Sequence, residues 1–141
     1  MKTIIHTVQV HASPETVYLA LTTQDGVTGW WTDKATLTEG TNQSIHFTFV
    51  GDFNPHMVQT ELVPFYVVSW RCVEGHPNWK DNTFRFALRD IDGETSLRFV
   101  QEYAQELDDD TYGTYNFNWG YYLNSLKLFC ETGAGTPFRV S

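Results

Sequence analysis

Five histidines, two cysteines, a run of three aspartates and a high density of aromatic rings are the residues of this chain whose types suit chemistry. The histidines are His6, His11, His46, His56 and His76, and none stands in an HxH, HExxH or Cys/His pairing at ligand spacing, so no metal site is assigned. His6 and His11 are an odd number of positions apart and fall on opposite faces of a strand, whereas His46 and His56 lie on neighbouring strand segments and can meet across a sheet. Solvent-facing or singly hydrogen-bonded histidines are the expectation. Cys72 and Cys130 lack the helix N-terminal setting that lowers a thiol pKa, and Cys130 sits near the negative end of a helix. Both are read as buried, reduced and structural. Asp108, Asp109 and Asp110 suit either a bound cation or a solvated loop that places negative charge near a helix start, and the second is preferred. No G-x-S-x-G elbow or triad is present, and the Gly133–Gly135 segment follows a helix instead of opening one, so it is not a phosphate cradle. No cofactor is implied.

The aromatic residues carry more information. Trp30, Phe47, Phe49, Trp70, Phe84, Phe86, Phe99, Trp119 and Tyr122 are too numerous to be scattered singly. They either fill a core or, in part, line a cavity that stacks on an aromatic ligand. Gln101 falls on an inward-facing row among apolar neighbours, and Tyr103 and Tyr122 bring hydroxyls toward the same space. Polar groups of this kind orient a ligand in an apolar pocket, because each needs a hydrogen-bond partner once buried. The nine aromatic residues named above and Gln101, with Leu123 and Leu126 from the last helix, form the expected ligand-binding set.

The elements that must position them follow from periodicity. Residues 3–11 alternate as a first strand. Ser13-Pro14-Glu15 combines an N-cap, a residue tolerated at the first helical position and an acid for the positive helix end, so a helix runs to about Thr22. A short second helical segment leads to Trp30-Trp31. Strands are expected over residues 35–38, 44–50, 56–63, 66–73, 83–91 and 94–103. Asp92-Gly93 reads as a two-residue type I′ hairpin. That turn pairs Leu88 with Leu97, Phe86 with Phe99 and Phe84 with Gln101 on an apolar face, and Arg89 with Ser96, Ala87 with Arg98 and Arg85 with Val100 on a wet one. Residues 104–115 read as an acidic connection. Over residues 116–133, Trp119, Tyr122, Leu123, Leu126, Phe129 and Cys130 share one helical face, and Gly133 stops the helix. A narrower stripe of Phe117, Tyr121 and Leu128 lies opposite.

The chain has 141 residues, 41% of them hydrophobic, 18% charged and 16% aromatic. That bounds it to one α+β domain, residues 1–141, with a substantial core. The net charge of −8, from 9 basic and 17 acidic residues, and the lack of a basic run argue against nucleic acid or an anionic membrane as partner. No segment is apolar enough for a signal peptide or a membrane span, so a soluble cytoplasmic protein is expected.

The segment S-P-E-T-V-Y-L-A-L-T-T (13–23), the Trp30-Trp31 pair and G-Y-Y-L-N-S-L-K-L-F-C-E-T-G-A-G-T-P (120–137) resemble the SRPBCC or START-like superfamily. The match extends over essentially the full length and is nearer to the AHSA-like branch, named for a C-terminal domain of the heat-shock chaperone ATPase activator. The resemblance implies a helix-grip (START/Bet v-like) fold: a curved antiparallel sheet of about seven strands around a long C-terminal helix, with two short helices after the first strand. It also implies a deep apolar cavity, which across the superfamily holds lipids, sterols, hormones, flavonoids or polyketides. The expected function is therefore binding of a small apolar or aromatic molecule (lipid, polyketide or flavonoid-like) without evident catalysis. The alternatives are a cyclase or hydratase using a cavity acid–base residue, and a chaperone-associated or homodimeric module that docks through Phe117, Tyr121 and Leu128.

Overall fold

The computed structural model describes residues 1–140. Strand β1 (Thr3–Val10) is followed by helices α1 (Pro14–Thr22) and α2 (Gln24–Trp30). Six strands then run in succession: β2 (Ala35–Leu37), β3 (Ser44–Phe47), β4 (His56–Val63), β5 (Val67–Glu74), β6 (Thr83–Ile91) and β7 (Glu94–Glu102). Helix α3 (Asp109–Thr132) comes last. The sheet is antiparallel throughout, in the order β1-β7-β6-β5-β4-β3-β2. Helices α1 and α2 carry the chain from one edge to the other. Long antiparallel ribbons twist, and register shifts in β4 opposite β5 bend the sheet further, so its inner face is concave. This is the helix-grip architecture, with α3 held in the concavity.

The caps form as the sequence anticipates. The Ser13 side chain accepts from Thr16 N at 3.2 Å with Pro14 in the first turn. At the β6–β7 turn, Asp92 and Gly93 both have positive φ, 54° and 88°, as a type I′ turn demands. All six cross-strand pairs expected from that turn are present.

The largest departure lies at the start of α3. The helix begins at Asp109, seven residues before the expected start, and absorbs the second half of the predicted acidic connection. Asp108 is its N-cap, accepting from Thr111 N at 2.9 Å, and this bond to the backbone N–H holds the Asp108 carboxyl below its usual pKa. Asp109 and Asp110 occupy the first turn, at the positive end of the helix dipole. The first turns are largely solvent-facing, so no apolar periodicity marked them. Smaller differences occur in the strands. β2 ends at Leu37 and β3 at Phe47, short of the expected residues 38 and 50, because residues 48–55 leave the ladder as a loop; β7 ends at Glu102.

The core is the inner face of the sheet, with Ile4, Ile45, Phe47, Met57, Val68, Trp70, Phe84, Phe86, Leu97 and Phe99, covered by Val17 and Leu21 of α1 and by Trp119, Leu123 and Leu126 of α3. Ser125, buried on α3, donates its hydroxyl to Trp30 O at 2.7 Å and accepts from Thr136 N at 2.7 Å. One hydroxyl thus joins α2, α3 and the C-terminal tail. The tail continues the tie: Phe138 N donates to Trp31 O at 2.8 Å and Asp33 N donates to Phe138 O at 2.9 Å. No helix among the described residues is long and apolar enough to cross a membrane.

Replacing Ser125 with Ala leaves the carbonyl of the buried Trp30 and the N–H of Thr136 without their partner. It is expected to destabilise the protein by about 1–3 kcal/mol in urea unfolding.

Candidate functional site

The inner face of the sheet is too crowded with rings to leave a central cavity. Phe86 and Phe99 lie 5.0 Å apart, Trp70 and Phe86 4.9 Å, and Phe99 and Trp119 4.2 Å between ring centroids. Space opens instead at one end, where the loops at residues 48–55 and 75–82, the N-terminal half of α3 and the tail converge. There a half-open cleft of about 300 Å³ is lined by Trp31, Phe49, Val50, Phe53, Trp79, Tyr115, Asn118, Trp119, Tyr122 and Phe138.

Local rules place each wall. Trp31 is the C-cap residue of α2 and is buried. Its indole stacks on Trp30 at 5.7 Å, on Trp70 at 6.1 Å and on Trp79 at 6.1 Å, and meets Trp119 at 5.0 Å. Phe49 and Phe53 pack edge to face within their own loop at 6.0 Å, and Phe53 meets Trp79 in the same way at 4.8 Å. Tyr115, Trp119 and Tyr122 follow the i, i+4, i+7 rule and share one face of α3. Phe138 reaches the site because the tail pairs with Thr32 and Asp33, and its ring lies 5.6 Å from Phe49.

Of the residues expected to bind a ligand, Phe49, Trp119 and Tyr122 border this cleft. Trp30, Phe47, Trp70, Phe84, Phe86, Phe99, Gln101, Leu123 and Leu126 are buried in the packed interior away from it. The alternation of a strand says which side chains point inward, but not whether the opposite layer reaches them. Here Trp31 and α3 do. Trp31, Val50, Phe53, Trp79, Tyr115, Asn118 and Phe138 complete the lining and were not in the expected set. The adjacent Trp30 was selected while Trp31, one position on, was passed over. Trp79 and Phe138 lie in segments without periodicity, where no pattern marks an inward side chain.

The chemistry of the lining is uniform: eight aromatic rings, one valine and one carboxamide, with no charged side chain. Burial pushes the Tyr122 phenol above its usual pKa, with the neighbouring Tyr121 adding to the shift. His76 abuts Phe53 at 4.9 Å, and its Nδ1 accepts from Asn78 N at 3.1 Å. The other histidines lie elsewhere. His46 and His56 stack at 3.9 Å across β3 and β4, His6 Nε2 meets Asn116 Oδ1 at 3.0 Å, and His11 Nδ1 meets Glu94 at 2.9 Å. Among the described residues, no three of His, Cys, Asp and Glu converge as a metal-ligand set. Behind the cleft, Trp119 Nε1 donates to Gln101 Oε1 at 2.7 Å, while Gln101 Nε2, Tyr103 OH and Trp79 Nε1 are buried without a partner.

With this geometry in hand, comparison with known proteins places the chain. Residues 11–131 match the family described as Activator of Hsp90 ATPase homolog 1-like protein, and the chain belongs to that family. It is similar to the Aha1 dimer of Colwellia psychrerythraea, whose solution structure has 33% sequence identity and a TM-score of 0.84, over 96% of this chain and 100% of that one. The fold recurs at lower identity. The protein MLL2253 of Mesorhizobium loti has 17% identity and a TM-score of 0.77, over 89% of this chain and 94% of its own. CalU16 of Micromonospora echinospora has 16% identity and a TM-score of 0.71, over 93% and 77%. No curated protein matches the chain.

The two thiols lie outside the cleft. Burial raises Cys72 from 9.0 to about 11, and burial with the adjacent Glu131 charge raises Cys130 from 9.0 to about 12. A raised folded-state pKa stabilises the fold fully below the unfolded value, and that contribution disappears as pH climbs through the folded one. Stability is therefore expected to fall between about pH 9 and pH 12, less steeply in Cys72→Ala and Cys130→Ala, when unfolding is followed against pH. At pH 8 both thiols should react with a disulfide reagent only after denaturation.

Proposed function

We propose that the protein binds a small, planar, apolar molecule, an aromatic or fused-ring compound, in the cleft between α3, the tail and the two loops. The supporting observation is the lining: eight rings on three sides of an opening of about 300 Å³. Rings at these spacings offer faces and edges to a ligand's own π-system, and burial of its surface supplies the affinity. The volume lies at the low end of ordinary ligand sites, which run from about 300 to 1,000 Å³. That favours a two- or three-ring, polyketide- or flavonoid-like scaffold over a sterol or a two-chain lipid. Binding without turnover is the better reading, because general acid–base work near neutral pH needs a titratable group within reach of the ligand, and the lining carries only tyrosine hydroxyls and a carboxamide. Two reduced thiols suit the cytoplasm.

The test is a thermal-shift and calorimetric screen of fused-ring phenols, flavonoids and fatty acids. A ligand present at about 100 times its dissociation constant adds roughly 2.7 kcal/mol to the folded state. Phe49→Ala and Phe138→Ala, at the rim, are each expected to raise the dissociation constant about tenfold, one lost ring contact being worth about 1 kcal/mol or more. Failure of every aromatic compound to shift the melting temperature rejects the reading.

A second reading concerns assembly. Phe117 is 75% exposed and Tyr121 51% exposed on the outer face of α3, with Leu128 partly covered on the same stripe. The similar Colwellia protein is a dimer. We infer that this stripe is a homodimer contact. Sedimentation should show a dimer for the native chain and a monomer for the Phe117→Ser/Tyr121→Ser double variant; a native monomer ends this reading.

A further inference from the structure

The exposed stripe of α3 and the mouth of the cleft adjoin on the surface. Tyr121, 51% exposed on the stripe, meets Tyr122 of the cleft wall edge to face, their ring centroids 5.0 Å apart. Tyr122 in turn meets Phe49 edge to face at 6.5 Å. Phe49 leads directly into Val50, which is 70% exposed on the loop side of the mouth. Phe117, 75% exposed, stands one helical turn before Tyr121 on the same face. Apolar side chains therefore run from Phe117 through Tyr121 and Tyr122 to Phe49 and Val50. The other flank of the stripe is polar and already engaged along β1. There Asn116 Oδ1 meets His6 Nε2 at 3.0 Å, Lys127 donates to Gln9 O at 2.7 Å, and Glu131 accepts from His11 N at 2.7 Å.

A stable contact between two proteins buries about 800 Å² on each. At the usual size of aromatic side chains, the uncovered parts of Phe117 and Tyr121 come to roughly 200–300 Å². The stripe by itself is too small, so a contact built on it must take in one of its flanks. Covering the flank along β1 desolvates paired polar and charged groups, which costs free energy. Covering Tyr122 and Val50 removes apolar surface from water, which is favourable. The second flank is the one that a second copy, seated on the stripe, can use.

We propose that the homodimer contact extends from Phe117 and Tyr121 across the mouth to Val50, so that a second copy of the chain closes the cleft, and ligand and partner bind cooperatively. This rests on the cleft reading and the stripe reading together, and adds the coupling between them. A molecule held in the half-open cleft keeps one side in water. The partner covers that side, and the ligand fills the space beneath the interface. Whatever factor tightens ligand binding in the dimer must tighten dimerisation in return, once for each filled site.

The probe is N-phenyl-1-naphthylamine, an uncharged aromatic amine whose fluorescence rises on leaving water. Sedimentation sets the dimer dissociation constant, and the probe is titrated at protein concentrations below and above it. Binding is expected to be about tenfold tighter above, the factor supplied by covering a further 55 Å² or so, roughly, of apolar surface. Saturating probe should then strengthen dimerisation about a hundredfold, a factor of about ten for each of two sites. The Phe117→Ser/Tyr121→Ser variant should bind the probe with the weaker, monomer affinity at every concentration. Val50→Ser, on the loop and not on α3, should weaken the probe-free dimer about tenfold, because each copy's Val50 lies in the contact. Equal probe affinity in monomer and dimer, or a dimer indifferent to Val50→Ser, overturns the proposal and leaves both readings standing. A native chain that stays monomeric ends the stripe reading and the proposal with it, while the probe still tests the cleft. A dimer that neither the probe nor the aromatic panel binds ends the cleft reading and the proposal, and leaves the stripe.

Discussion

The packing of the Trp31 indole is the contact on which the rest of this structure depends. It touches α2 through Trp30, the sheet through Phe47 and Trp70, the loops through Phe49 and Trp79, and α3 through Trp119. One side chain therefore closes the hydrophobic core and forms the inner wall of the cleft. A large rigid ring does this at small entropic cost, having only two side-chain torsions to lose, and its faces and edges suit the neighbouring rings differently. Without it, core and cleft would be one continuous space.

The same arrangement explains why the site is chemically quiet. Charged residues are kept out of the lining and pair elsewhere: Arg85 with Glu61 at 2.7 Å, Arg71 with Asp81 at 2.9 Å and Lys127 with Glu131 at 2.7 Å. The cleft is walled mainly by aromatic rings, with the Asn118 carboxamide among them.

Much of the architecture was legible before any coordinates. The Ser13-Pro14-Glu15 cap, the Asp92-Gly93 turn and the pairing that places Phe86 opposite Phe99 are local features: a few adjacent residues carry the whole instruction. The start of α3 was missed because Asp109 to Tyr115 is a polar, largely exposed stretch held by a cap at Asp108, so the apolar period by which helices are recognised is absent there. The aromatic residues were legible as inward-facing, but their division between packing and lining was not. Phe49, Trp119 and Tyr122 border the cleft, whereas Phe84, Phe86 and Phe99, which looked equally suited, are covered by Trp119 and its neighbours.

Element order, turn type, helix face and family membership were thus present in the amino-acid sequence by itself, because each depends on spacing within a short segment or on a pattern sustained along the chain. The position of the cleft and the packing of Gln101, Trp119 and Tyr103 in the interior were decided only in three dimensions. Trp31, Trp79, Tyr115 and Phe138 come from a helix end, a loop, a second helix and a tail, and no period links them. They meet because the curved sheet brings its loops together at the end where the tail returns, and because the bond from Trp119 to Gln101 turns one carboxamide so that its NH₂ is left over. Spacing along a chain encodes which way a side chain points; which other side chain arrives to cover it depends on how the layers close.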